Sequence, residues 1–209
     1  MIGALEALRR LQDGNHRFRT SEPVSGAPTR KSHAAVAAAD QEPFAIVLGC
    51  SDARVPAEII FDQGLGDLFV IRVAGNIAAP SQIGSVEFAV ERFGTRLVVV
   101  LGHSACGAVQ ATLDELECPK ANRSPNLRSI VDRIRPSVEH LLETGQPQAP
   151  DALMPMAVRA NIRSSADNLR HGSRIIEDLI RSDGLLVVGA EYSLETALVE
   201  FFDGVPATG

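Results

Sequence analysis

The chain has 209 residues, a formal net charge of -6, 45% hydrophobic residues and only 4% aromatic ones, with no Trp and one Tyr. That length supports one domain with a substantial aliphatic core, and an acidic balance without a basic block argues against a nucleic-acid partner. No apolar run reaches the ~20 residues of a membrane span, no signal-peptide pattern opens the chain, and three Cys without a disulfide spacing suit a reduced, cytoplasmic protein.

Leu5, Leu8, Leu11 and Phe18 recur on a helical period, so residues 3–19 are predicted as an amphipathic helix. Residues 21–28, rich in Pro and Gly, read as a loop. A buried strand covers 44–49, Pro56 suits the first turn of a short helix, and a second strand covers 68–73. A helix over 81–93 stops at Gly94, a third strand covers 96–101, and a helix follows from 105 to 116. Residues 117–126 form a loop, 127–142 a helix that Pro136 can kink, 145–150 a loop and 152–181 a helical stretch. A fourth strand covers 184–190, and 196–202 reads as a short edge strand. Buried strands alternating with helices predict an α/β fold: a central, mostly parallel β-sheet of four strands with a candidate antiparallel edge strand, flanked by helices. The expected organisation is a single domain over 1–209, with 1–40 as an N-terminal helical arm.

Two stretches carry chemistry. Phe44-Ala45-Ile46-Val47-Leu48-Gly49 leads into Cys50-Ser51-Asp52-Ala53-Arg54, and Leu97-Val98-Val99-Val100-Leu101-Gly102 leads into His103-Ser104-Ala105-Cys106. Two strands thus end in two thiols and one imidazole, a set known from catalytic zinc sites that keep a position for water or substrate. Cys50 and His103 are too far apart for a zinc finger, but they suit the carboxyl ends of neighbouring parallel strands, where such sheets collect ligands. Cys106, three residues after His103, falls near a helix N-terminus, whose dipole favours a thiolate. Alternation in an extended chain would keep Cys50, Asp52 and Arg54 on one side, with Arg54 holding Asp52 ionised. On these grounds alone a metal centre and a Cys nucleophile paired with His103 both stand. Cys118, beside Pro119, reads as incidental; His16, His33, His140 and His171 as solvated; Tyr192 as structural; Asn15 and Arg17 as interface candidates.

Cys50-Ser51-Asp52-Ala53-Arg54-Val55 followed by Gly102-His103-Ser104-Ala105-Cys106-Gly107 resembles the β-class carbonic anhydrases. The segments 61–72, 84–90 and 11–18 resemble that family too. The resemblance implies one Zn2+ per chain on Cys50, His103 and Cys106. It makes Asp52 the carboxylate that orients hydroxide, or else the fourth ligand in a closed state, with Arg54 as its partner. It implies substrate-binding roles for Gln63, for the Gly107 N–H and for Phe88, and reversible hydration of CO2 to bicarbonate and a proton by hydroxide on the zinc. Val55, Phe69, Val73, Ile77 and Phe88 are the apolar candidates for a CO2 pocket.

The chain departs from the family's common pattern at several places. Phe88 stands where many members have Tyr, Ala108 replaces a frequent Gly, and the second strand ends Arg72-Val73-Ala74-Gly75-Asn76 where Arg-Asn-x-Ala-Asn is common. Val47 occupies the place of a Trp used in one subgroup's regulatory bicarbonate site, which leaves that site unsupported although Arg72 is present. The resemblance further implies a homodimer or higher homo-oligomer with pockets between subunits. Hydrolysis of carbonyl sulfide or carbon disulfide on the same fold, and a non-catalytic zinc-binding homologue, are the competing functions.

Overall fold

A computed structural model describes residues 2–20, 41–119, 124–143 and 150–206. The predicted loop at 21–28, the rest of the arm to residue 40 including His33, and most of the 145–150 loop lie outside the described residues. The elements run α1 (Ala4–Thr20), β1 (Ala45–Cys50), α2 (Ala57–Ile60), β2 (Leu68–Val73), a 3-10 turn (Ala74–Asn76), α3 (Pro80–Phe93), β3 (Leu97–His103), α4 (Gly107–Glu117), α5 (Pro125–Glu143), α6 (Pro150–His171), α7 (Arg174–Ser182), β4 (Leu186–Tyr192) and β5 (Val199–Asp203).

The five strands form one sheet in the order β2-β1-β3-β4-β5. The first four are parallel, and β5 runs antiparallel to β4 with an irregularity at Gly189/Ala190. Both faces are covered. Ile46, Leu48, Val98 and Val100 pack against α3 to α7, while Val47, Val99 and Leu101 pack in the layer that holds α1 and α2. Burial on both faces is why β1 and β3 read as unbroken apolar runs rather than alternating ones.

Helix α1 lies on its own sheet, with Ala4, Ala7, Leu8 and Leu11 buried there. Each buried leucine contributes roughly 1.5–3 kcal/mol relative to exposure. Gly14 allows the close approach, because a Cβ at this position would sit 1.9 Å from the Phe61 carbonyl oxygen. Asn15 corrects the interface expectation: it is 3% exposed, donates from Nδ2 to the Ile60 and Ala197 carbonyls, and accepts from the Val199 N–H. Arg17 likewise pairs within the chain, with Asp62 at 2.6 Å.

Other differences are local. The stretch 152–181 is two helices, not one: α6 ends at His171, and Ser173 caps α7 by accepting from the Ile176 N–H. Helix α4 begins two residues later than expected because Ala105 takes a φ of 54°. Strand β3 continues through His103, and β4 starts at Leu186, after Gly184 turns the chain at φ 66°. Gly94 ends α3 in the left-handed conformation, as its position suggests.

Candidate metal centre

Strand β1 ends on Cys50 and β3 on His103. The chain leaves β1 toward β2 on one side and β3 toward β4 on the other, so these two ends flank the point where the winding reverses. Crevices form there because the connections depart in opposite directions. Cys106 precedes α4, and the left-handed Ala105 turns the chain so that Cys106 returns to His103. The turn is anchored by the Ser104 N–H donating to the Tyr192 carbonyl and by the Leu194 N–H donating to Ser104 Oγ, each at 3.0 Å.

The two sulfurs and an imidazole nitrogen lie within 4.8 Å of one another, and all three residues are buried. Ligand atoms on a tetrahedral zinc, at Zn–S ~2.3 Å and Zn–N ~2.0 Å, are separated by about 3.5 Å, so the cluster is of the right size. His103 Nδ1 is 2.9 Å from the Ser104 carbonyl oxygen, which makes Nδ1 the N–H donor and presents Nε2 as a lone pair. Nε2 is buried and, among the described residues, has no hydrogen-bond partner. An unpaired buried acceptor is costly, and a cation removes that cost.

The thiols show the same fit. The Cys106 thiol donates to Cys50 and brings the Cys50 pKa down to about 4; burial opposes this, while His103 and the backbone N–H of Gly75 add to it. The same bond, together with burial, pushes the Cys106 thiol up. One proton therefore leaves the pair readily and the second is retained. A bound dication favours the second ionisation, since thiolates are the ligating form. Burial lowers the pKa of His103, but the Cys50 thiolate and the Ser104 carbonyl outweigh it and the net shift is upward. The residues present thus fit zinc.

Asp52 stands beside this cluster, its Oδ2 3.8 Å from His103 Nε2. Arg54 engages it with three donors: its backbone N–H and Nε reach Oδ1 at 3.0 and 2.9 Å, and Nη2 reaches Oδ2 at 2.7 Å. Hydrogen bonding from the Arg54 side chain holds the carboxyl well below the usual carboxylate range. The reason differs from the extended chain expected. Residues 52–55 form a turn, with the Val55 N–H donating to the Asp52 carbonyl at 3.0 Å, and the Asp side chain captures the backbone two residues on.

Sequence reasoning gave Arg72 no part in this site. It donates from Nε to the Cys50 carbonyl at 3.0 Å and from Nη2 to the Asp52 carbonyl at 2.6 Å, bracing the ligand loop from β2. Gly107 opens α4 next to Cys106. Gln63 lies elsewhere, donating to the Phe61 carbonyl and accepting from Arg10, whose guanidinium also covers the Phe44 ring at the start of β1. Phe88 is 54% exposed and its ring partners are Phe69 and Phe93. Phe69 pairs with Ile46, four residues before Val73, which is level with Cys50, so this aromatic group sits toward the opposite end of the strands. Of the apolar pocket candidates, Val55 and Ile77 are core, in opposite layers, and Phe69 and Val73 are partly buried. Cys118, His16, His140 and His171 are exposed, and Tyr192 is buried among apolar residues with its pKa raised by that burial.

A mostly parallel α/β sheet that gathers two Cys and one His at its reversal point carries the donor set of a catalytic zinc site. A family model described as "Carbonic anhydrase" matches residues 45–199. A carbonic anhydrase of Mycolicibacterium smegmatis is 47% identical over 135 residues, which span 63% of this chain and 63% of that protein. Carbonic anhydrase 2 of Mycobacterium tuberculosis is 37% identical over 193 residues, 90% of this chain and 88% of the relative. Among solved structures, the β-carbonic anhydrase CafA of Aspergillus fumigatus superposes with a TM-score of 0.74 at 23% identity, covering 97% of this chain and 91% of CafA. A tetrameric β-carbonic anhydrase of Sordaria macrospora superposes at 0.72 and 20% identity, covering 94% and 97% respectively. The chain belongs to the β-class carbonic anhydrase family.

Proposed function

We propose that this chain catalyses the reversible hydration of carbon dioxide to bicarbonate and a proton, with one zinc ion on Cys50, His103 and Cys106. The observation that carries this reading is the buried cluster of these three ligands with the ionised Asp52 clamped by Arg54 at its edge. When bound, zinc supplies the Lewis acidity that brings the ionisation of water into reach of neutral pH; the familiar carbonic anhydrase value near 7 belongs to a three-histidine site. Two thiolates donate more charge than two imidazoles, so activity here rises toward mildly alkaline pH.

Asp52, ionised and therefore acceptor-only, takes the hydrogen bond of the attacking O–H and turns its lone pair toward the carbon of CO2. Arg54 donates to both carboxylate oxygens, so moving Asp52 in as a fourth ligand would disturb this clamp; the clamp favours the open site. The opening N–H of α4, at Gly107, would donate to a substrate oxygen. Gln63 and Phe88 lie apart from the cluster within one chain, so their roles in substrate binding belong to a pocket completed by a second copy. The exposed Phe88 ring supports that arrangement, as a homodimer or larger homo-oligomer.

The chain, arm included, works as one domain, and its reduced thiols suit the cytoplasm; no described helix is long and apolar enough to cross a membrane. The Asp52–Arg54 clamp has no use in a purely structural zinc site, and the relatives carry the carbonic anhydrase name. Hydration is therefore preferred to a non-catalytic role or to hydrolysis of carbonyl sulfide or carbon disulfide. Stopped-flow CO2 hydration by zinc-loaded protein tests this: a rate above buffer that grows with pH is expected, and no such rate at any pH overturns it.

A further inference from the structure

Gly75 links the ligand Cys50 to a helix far away in the chain. Its N–H donates to Cys50 Sγ at 3.4 Å, and its carbonyl accepts from Asn161 Nδ2 at 2.8 Å. Gly75 sits at φ 73°, a conformation open to glycine, and a Cβ there would meet Ile134 Cδ1 at 2.8 Å and Ala108 Cβ at 3.0 Å. Helices α4 and α5 thus close over it from one side while Asn161, on α6, holds it from another. Asn161 is 1% exposed, on a helix face otherwise made of Ala157, Val158, Ile162, Ala166 and Leu169, with Ser165 the other buried polar group. A buried amide on such a face is costly unless it is hydrogen-bonded, and Asn161 directs its donor to the Gly75 carbonyl.

We propose that Asn161 is a positioning residue for the metal centre, fixing Gly75 so that its N–H remains aimed at the Cys50 sulfur. A hydrogen bond to a ligating sulfur draws off part of the charge the thiolate would give the metal. With two thiolate ligands, this contact restores some of the Lewis acidity that the sulfurs take away. The inference rests on the metal site proposed above, and it gives α6 a part in the chemistry without any contact with substrate.

The test uses the full chain, 15N-labelled and loaded with NMR-active cadmium. Scalar coupling from cadmium to the Cys50 and Cys106 β-protons reports the ligands, and coupling to the Gly75 amide proton reports the N–H···S bond. Both couplings are expected in the unsubstituted protein. Cysteine coupling without Gly75 coupling overturns this inference and leaves the metal site standing; no cadmium on the cysteines overturns both. In Asn161→Ala, and in the near-isosteric Asn161→Asp should the alanine variant fail to fold, the Gly75 coupling is expected to vanish or weaken. The cysteine couplings stay, and zinc affinity by chelator competition falls about 10-fold. A folded variant with unchanged Gly75 coupling and unchanged affinity overturns the role of Asn161.

Discussion

At the scale of single residues, the centre separates ligation from catalysis. Under the proposed ligation, Cys106→Ala is expected to lose zinc; one zinc per chain in that variant by elemental analysis would refute the assignment. The Asp52 carboxylate is held by Arg54 beside the three proposed ligands, so Asp52→Asn should keep zinc while hydration slows about 100-fold, the scale of losing one positioned hydrogen-bonding group. Wild-type rates in zinc-replete Asp52→Asn would remove the catalytic role. The same carboxylate makes a pH prediction. Its folded pKa lies below its ordinary 3.8, chiefly through the Arg54 side chain, so the stability it contributes is complete above that pH and is lost as the pH falls through and below it. In metal-free protein, the difference in urea midpoint between wild type and Asp52→Asn should therefore hold steady at neutral pH and shrink in acid. A difference that grows in acid contradicts the clamp.

At the scale of elements, the docking of α1 depends on one side chain. Asn15→Ala leaves the Val199 N–H and the Ile60 and Ala197 carbonyls without their partner, so a loss of about 2 kcal/mol in denaturant unfolding is expected, with zinc affinity unchanged. Most elements were legible because buried parallel strands leave long runs of Val, Ile and Leu, as in β1 and β3, and because Gly94 marks a helix end. Cys50 and His103 were legible for the same reason, since each stands at the terminus of its strand, and Cys106 was legible from its place near the start of a helix. What failed was local backbone chemistry. The Gly172-Ser173 break went unread inside a continuous helical pattern, although a Ser before Arg174 is an N-cap signal. The turn at Asp52 looked extended because alternation alone cannot register an Asp bonding its own backbone. The bracing by Arg72 and Asn161 is tertiary, and only the oddity of an Asn on an apolar helix face hinted at it.

At the scale of the whole molecule, the exposed Phe88, in edge contact with Phe93, is an aromatic surface suited to a second copy. Light scattering on zinc-loaded protein at micromolar concentration should give at least twice the 22.3 kDa chain mass. A monomer would argue against a pocket shared between subunits. Asn15 also says something about time. Its three hydrogen bonds join the first helix to residues 60, 197 and 199, and the last two belong to the segment entering the final strand. A chain emerging from a ribosome presents α1 long before Val199, 184 positions further on, so this helix stays unfastened until β5 is available. Long-range closures of this kind come late and slow folding. The proposed metal ligands, all complete by residue 106, are assembled from chain that has long since emerged when that fastening closes.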